Sequence, residues 1–306
     1  MSTLLGNISL AGESFAASHA TGSVVYVDGS RNDAYVETGN IHQPYKSVTA
    51  AITALDASLQ VGKSYTLQLA PASYICGISS TTSWTGDLAI VGESRDQVIL
   101  KGSSDSSITT DCFYLQNKAG LSFENLTIQD AKYGLYIRDC LSSSRVQIDN
   151  VRFTKCGSKG VTADHDQSKD QTDQAAVWAS DTTSDGGAAR IQSCNDVQIR
   201  DSRVDSCLRG LRVQDCTRGL VQGNYIYRTL EAGIYLAAGS YSGADGCDDF
   251  GGRDNLVLGA YNNGILIVGG KRNTIKDNTI KSAANAGIQG HSVLDLTIDN
   301  NRFFFF

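Results

Sequence analysis

Apolar and polar residues alternate in short runs along most of the chain, and the runs return at a regular interval. One cassette recurs: an apolar residue, any residue, then Asn, Asp or Gly; later, a glycine followed by alternating apolar positions. Ile148-Asp149-Asn150 leads to Gly160-Val161-Thr162-Ala163, and Ile275-Lys276-Asp277 leads to Gly287-Ile288-Gln289-Gly290. A period of two is the mark of strands. The second apolar position after the glycine falls at Leu115, Ile137, Ala163, Ile191, Val213, Leu236, Ile267 and Gly290, in steps of 22, 26, 28, 22, 23, 31 and 23. The turn position falls at Asn125, Asn150, Asp201, Gly223, Asp254, Asp277 and Asn300, in steps of 25, 51, 22, 31, 23 and 23. The 51-residue interval reads as two coils, with the missing turn near Ala179.

The columns give the repeat a chemical meaning. Asn, Asp and Gly tolerate a left-handed backbone, so their column predicts a sharp bend between strands. Three residues later stands an apolar column: Ile128, Phe153, Val204, Ile226, Val257, Ile280 and Phe303. Three further on stands a small one: Ala131, Cys156, Cys207, Thr229, Ala260 and Ala283. Cys140, Cys194 and Cys216 share another column. Like residues stacked at one coil position form a packed ladder, in which cysteine serves as a small hydrophobe. Free, inward-pointing thiols are therefore expected, with Cys156 and Cys207 two coils and about 10 Å apart. Coils this short leave little room for helices, so the pattern predicts an all-β solenoid of about eight or nine coils of 22–31 residues. A β-sandwich would instead show hairpin turns every 8–12 residues or so.

Ahead of the coils, residues 47–59 place Val48, Ala51, Ile52, Leu55 and Leu59 at helical spacing. A solenoid's first coil exposes apolar core and open strand edges, and this helix is the natural plug. The predicted organisation is an extension over 1–23, a capping region over 24–87 with the helix and first strands, and the solenoid over 88–306. Phe303 to Phe306 end the chain inside a coil, and their cover is expected from a trimeric partner, a fibre neighbour or further chain.

Val25-Tyr26-Val27-Asp28-Gly29, then Gln43-Pro44-Tyr45-Lys46-Ser47-Val48, then Leu69-Ala70-Pro71-Ala72-Ser73-Tyr74 resemble the opening of pectin-lyase-like proteins. Within that superfamily the chain is most similar to the β-helical domains of bacteriophage tailspikes and tail fibres, over about residues 24–303. The resemblance implies a right-handed parallel β-helix. It does not select an activity, because the superfamily holds lyases, hydrolases, epimerases and non-catalytic adhesins. Asp248-Asp249 and Gly290-His291-Ser292 are only fragments of the family's hydrolase signatures, and no role is carried over to them.

Composition narrows the setting. Two prolines and 31 glycines suit a chain of strands and tight turns. A net charge of −6 gives no basic footprint for nucleic acid. No run of about 18 apolar residues spans a membrane, and the N-terminus lacks the features of a signal peptide. The expected location is a virion or the extracellular space, reached without a cleavable signal.

The residues that alternate with the inward column mark the candidate site. They form outward pairs, including Tyr114/Gln116, Tyr136/Arg138, Thr162/Asp164, Arg190/Gln192, Arg212/Gln214 and Tyr235/Ala237. Tyrosine rings stack on sugar C–H faces, while amides and guanidinium groups bind hydroxyls and carboxylates. Arg190 and Arg212 fall in one column on adjacent coils, where like charges oppose each other unless an anion lies between them. The expected ligand of Tyr136, Arg138, Arg190, Gln192, Arg212, Gln214 and Tyr235 is thus an extended anionic polysaccharide. Two acidic insertions are read as rising after this strand, one from Asp164-His165-Asp166 through Trp178 to Asp185, the other carrying Asp245, Asp248, Asp249 and Asp254. Insertions on one side of a solenoid often mark its binding side. Asp164 or Asp166 would serve as acid or base of a glycoside hydrolase, and His165 would abstract the proton in a lyase. The same carboxylates could hold Ca²⁺, but no cofactor is required by the reading. Two functions remain open: a glycan-binding spike that also cleaves its polymer, and a non-catalytic adhesin or structural fibre component.

Overall fold

The computed structural model describes residues 23–102, 110–140, 145–157, 186–238 and 246–304. These form one helix and 27 strands, all in three parallel sheets. The first sheet has ten strands, from Ser23–Val27 to Thr297–Asp299; the second has nine, from Ala72–Ile75 to Arg302–Phe304; the third has eight, from Ile78–Ser80 to Ala286–His291. The chain visits the sheets in that order again and again. It therefore winds eight three-strand coils and begins a ninth as a right-handed parallel β-helix.

The turn column behaves as its residue types require. Asn125, Asn150, Asp201, Gly223, Asp254, Asp277 and Asn300 all have φ between 46° and 68°, at the corner from first to second sheet. The cassette's glycines answer to close approach instead. A Cβ on Gly210 would stand 1.9 Å from the carbonyl oxygen of Gly233 on the next coil, so stacked backbones exclude any side chain there. The apolar column from Ile128 to Ile280 is buried, as are Leu115, Ile137, Ile191, Val213, Leu236 and Ile267. Phe303 pairs with Ile280, but on the last turn it is 41% exposed.

The register corrects the middle of the sequence reading. Ile137 pairs directly with Ile191, and Asp149 with Arg200, so the 51-residue interval is one coil. Gly187-Ala188-Ala189-Arg190-Ile191 supplies the strand that Gly160-Val161-Thr162-Ala163 imitates. Alternation alone could not choose between the two; parallel pairing on both sides does. Cys156 and Cys207 are consequently one coil apart, roughly 4.8 Å and not 10 Å.

One buried ladder was not foreseen. Immediately after the turn column, Asn224, Asn255, Asn278 and Asn301 stack on four consecutive coils. The Asn224 oxygen accepts from the Ser202 amide at 3.0 Å, and each following side-chain oxygen accepts from the preceding asparagine's amide, at 3.0, 2.9 and 2.9 Å down the stack. Each of the four amides also donates to a backbone carbonyl, those of Ile199, Val221, Gly252 and Ile275. The side-chain amides of that ladder thus find their partners within the protein.

All eight cysteines are free thiols. Titration of unfolded, unreduced protein should therefore find at least six reactive thiols; three or four disulfides would contradict this.

The helix Val48–Gln60 closes the N-terminal end. Ser47 caps it, accepting from the Ala50 amide at 3.1 Å, and Val48, Ala51, Ile52, Leu55 and Leu59 are buried. Asp56 on the helix accepts from Trp84 Nε1 at 2.7 Å. Beside it lies Lys118, fully buried, its Nζ 3.8 Å from the Trp84 ring centre and donating to Ser80 Oγ and the Thr82 carbonyl. Burial pulls the Lys118 amine down from 10.5 to about 8, against the opposing pull of the Asp56 carboxylate. Between those values the unfolded chain keeps a proton that the folded chain has lost. Lys118 should therefore add to stability as pH rises from about 8 towards 10.5. Denaturant midpoints of wild type and Lys118→Met should diverge in wild type's favour over that window; a constant difference would contradict the assignment.

Candidate functional site

The outward face of the third sheet carries the predicted strip, in a compressed register. Tyr114, Tyr136, Arg190, Arg212, Tyr235 and Leu266 form one column on six consecutive coils. Gln116, Arg138, Gln192, Gln214, Ala237 and Val268 form the column beside it. The strands are Phe113–Gln116, Tyr133–Arg138, Gly187–Gln192, Leu211–Gln214, Ile234–Ala237 and Asn263–Val268.

The two stacked arginines part towards different tyrosines. The Arg190 guanidinium lies over the Tyr136 ring at 4.7 Å, and that of Arg212 over Tyr235 at 5.1 Å. Each cation gains the negative face of a ring and moves away from the other. Tyr114 meets Tyr136 edge-on at 5.1 Å between centroids, and Tyr133 packs against Tyr136 at 5.3 Å. Arg190 is held further by Gln214 and Gln192, whose side-chain oxygens accept from its Nε at 2.9 Å and its Nη2 at 3.2 Å. Gln214 is 1% exposed and Ala237 is fully buried, although both sit at outward positions. Gln214 is therefore a support for Arg190, not a group offered to a ligand. Gln192 and Tyr136 remain partly exposed, and a longer contact joins them at 3.5 Å.

Arg138 donates to Asp139 at 2.8 Å, and Gln116 donates to the same carboxylate oxygen at 2.9 Å. That pairing raises the Arg138 pKa, against a smaller effect of burial. Sequence reasoning missed Arg209, Glu231 and Tyr133, which border the strip. Arg209 donates from Nε and Nη2 to Glu231 at 2.6 and 2.8 Å, and from Nη1 to the Tyr133 hydroxyl at 3.5 Å. Burial works against that cation, but the forked bond to Glu231 outweighs it and holds its pKa above the ordinary value. The signal was present: Arg209 and Glu231 carry opposite charges 22 residues apart, one coil. Arg212 differs. Burial, then the nearby charges of Arg190 and Arg209, push its pKa down, and its buried Nε has no hydrogen-bond partner among the described residues.

The connections to this sheet also differ from expectation. Residues 158–185 lead from the second-sheet strand Arg152–Thr154 into the third-sheet strand Gly187–Gln192, so this insertion precedes the strip. Residues 239–245 leave the third sheet after Ile234–Ala237. The two segments thus join the face from opposite edges. Asp164, His165 and Asp166, with Asp245, lie outside the described residues. The outward pair Thr162/Asp164 was expected on a coil of its own, and the direct pairing of Tyr133–Arg138 with Gly187–Gln192 leaves no place for that coil. Asp248 and Asp249 are not loop carboxylates: they open the first-sheet strand Asp248–Arg253. Asp248 pairs with Lys271 at 3.5 Å, and Asp249 takes a forked bond from Arg272 at 2.6 and 2.7 Å. Asp254 accepts from Gln222 at 3.0 Å. Among the described residues, no group of three or more His, Cys, Asp or Glu side chains is placed to hold a metal ion. No described helix is long and apolar enough to cross a membrane.

Comparison with known families agrees with the winding. The family model described as right handed beta helix region matches residues 88–247 and 140–303. The chain belongs to the right-handed β-helix family. Among solved structures it is similar to the A-module of the Azotobacter vinelandii mannuronan C-5 epimerase AlgE6, at 14% identity, covering 83% of this chain and 70% of that one, with a TM-score of 0.47. It is also similar to pectin methylesterase PemA from Erwinia chrysanthemi, at 11% identity, 87% and 80% coverage and a TM-score of 0.41. The Streptococcus pneumoniae surface protein and adhesin PfbA matches at 10% identity, 84% and 93% coverage and a TM-score of 0.29. No curated protein sequence matches the chain.

Proposed function

We propose that this β-helix binds an extended anionic polysaccharide along its third sheet, in the manner of a bacteriophage tailspike or tail fibre. The observation that carries the reading is the pair of tyrosine–arginine stacks on neighbouring coils, Tyr136 with Arg190 and Arg212 with Tyr235. Rings supply flat apolar faces for sugar, and the guanidinium edges supply paired donors for carboxylate or sulfate. Burial and the neighbouring charges of Arg190 and Arg209 disfavour the Arg212 cation, so a ligand that brings negative charge there would relieve it. Coils at intervals of about 4.8 Å repeat these contacts along the polymer.

Cleavage is a separate step, assigned to Asp164 or Asp166 as acid or base of a hydrolase, or to His165 as base of a lyase. A second reading, a non-catalytic adhesin or fibre component, has its own support. Two carboxylates bordering the strip, Asp139 and Glu231, are committed to Arg138 and Arg209. Incubation with a panel of acidic polysaccharides tests both readings, following binding, unsaturated-product absorbance and reducing ends. Binding with neither product signal supports the adhesin; no binding to any member contradicts the proposal.

We place the protein in a homotrimer or beside fibre neighbours, on a virion or outside the cell. Leu294, Ile298, Phe303 and Phe304 are 64%, 50%, 41% and 42% exposed, an apolar group that either a neighbouring chain or a further coil would cover. Sedimentation should show self-association; a soluble monomer at high concentration would count against it.

A further inference from the structure

Every cysteine of this chain has a thiol neighbour on an adjacent coil. Cys76, at the corner between the strands Ala72–Ile75 and Ile78–Ser80, lies beside Cys112 on the next coil, whose carbonyl accepts from the Gly77 and Ile78 amides at 3.2 and 3.0 Å; the Cys76 thiol donates to the Tyr74 carbonyl at 3.9 Å. Cys156 stacks on Cys207 within the second sheet's edge column. Cys140, Cys194, Cys216 and Cys247 form a stack of four at the corner from third to first sheet. There the Cys140 amide bonds to the Ser193 carbonyl, which sets Cys140 beside Cys194, and the Cys194 amide donates to Cys216 Sγ at 3.4 Å. Adjacent coils are about 4.8 Å apart, inside the 4.4–6.8 Å Cα range that a disulfide spans.

Exposure separates these pairs. Cys76 and Cys140 are half-buried, and the other six are buried. Two of the three groups therefore open to solvent at one end, and the Cys156–Cys207 pair does not. We propose that Cys76–Cys112 and Cys140–Cys194 are oxidation sites, converted by a small-molecule disulfide into staples between neighbouring coils, while Cys156, Cys207, Cys216 and Cys247 remain thiols.

The chemistry is thiol–disulfide exchange. The thiolate of Cys76 or Cys140 attacks one sulfur of the small disulfide, and the first small thiolate leaves and takes up a proton. The buried partner, Cys112 or Cys194, loses its proton to solvent. It then attacks the mixed disulfide, forms the protein S–S bond and expels the second small thiol. Two protein thiols are oxidised and one small disulfide is reduced to two thiols. Burial raises the pKa values of Cys112 and Cys194, so the closing step should be slow at neutral pH and faster in mild alkali. The second staple has a structural consequence. Cys140 and Cys194 each follow by two residues the strand ends Arg138 and Gln192, so the bond would tie together the strands that carry Tyr136 and Arg190 across the whole 158–185 connection. The proposal does not depend on the ligand of that face.

The test incubates the native full-length chain with oxidised glutathione near neutral pH and in mild alkali, traps remaining thiols with iodoacetamide in denaturant, and maps unreduced peptides by mass spectrometry. The expected result is two internal links, Cys76–Cys112 and Cys140–Cys194, formed faster in alkali, with the other four cysteines alkylated. Dithiothreitol should restore eight thiols. Glutathione adducts without internal links, a Cys194–Cys216 link, oxidation of Cys156 with Cys207 ahead of the others, or no reaction would each overturn the proposal. The Cys140→Ser variant should lose only the second link, together with the oxidant-induced rise in melting temperature that it brings. Cys76→Ser gives the reciprocal result, so one misfolding variant leaves the test intact.

Discussion

Replacing Arg190 and Arg212 together with alanine should weaken binding of an anionic polysaccharide by roughly 2–4 kcal/mol, since charge-assisted hydrogen bonds contribute about 1.5–3 each and do not add fully. At about 1.4 kcal/mol per tenfold, that is a loss of roughly thirty- to several-hundred-fold in affinity. Fold should survive, because both side chains point out of the helix while Ala189, Ile191, Leu211 and Val213 form the core beneath them. The single variants should be unequal. Losing Arg190 also frees Gln214 and Gln192, whereas Arg212 Nε has no hydrogen-bond partner among the described residues to lose. Isothermal titration with a polysaccharide that binds wild type decides the matter, and unchanged affinity in the double variant would remove the strip as the binding site.

The largest stability effect should come from the asparagine ladder. Asn255 donates to the Asn278 side-chain oxygen and the Val221 carbonyl, both at 2.9 Å, and accepts from the Asn224 amide groups at 3.0 Å. Asn255→Ala would strand several of these buried groups at once, each at about 1–3 kcal/mol. A loss of roughly 3–5 kcal/mol is expected in denaturant unfolding. Asn301→Ala, at the half-buried end of the stack, should cost clearly less, about 1 kcal/mol. Equal losses at the two positions would contradict the ladder account.

Much of the fold was legible because a solenoid writes its geometry into sequence columns. The turn residues Asn125 to Asn300 announced left-handed corners, and the alternation around Ile137 or Val213 announced which side chains face inward. The helix plug was legible from Val48 to Leu59 by spacing alone. The failure was local and has a physical cause: periodicity senses composition, whereas coil membership is decided by pairing. Gly160-Val161-Thr162-Ala163 has the composition of a coil strand, but no edge is open to it, because Tyr133–Arg138 and Gly187–Gln192 pair directly with each other. The error then moved Cys156 from Cys207 and put Asp164 among the arginines.

The candidate site was legible as a list of residues and not as a set of contacts. That Arg190 and Arg212 stack on adjacent coils followed from the period; that they turn to Tyr136 and Tyr235 did not, because a rotamer choice leaves no trace in spacing. Gln214 and Ala237 show the limit of an alternation rule, which gives direction but not cover. The Asn224 to Asn301 ladder was readable in principle, since asparagine follows the turn residue on four consecutive coils. It was overlooked because asparagine next to a turn looks like more turn.

Arginine footprinting tests the central claim most directly. The native protein is treated with phenylglyoxal with and without saturating polysaccharide, and modified peptides are quantified by mass spectrometry. The account predicts that ligand shields Arg190 and Arg212 on the third sheet and leaves Arg203, Arg218 and Arg272, on the other two sheets and their edges, as reactive as before. Shielding of Arg203 in place of Arg190 and Arg212, or no shielding while polysaccharide is bound, would contradict it.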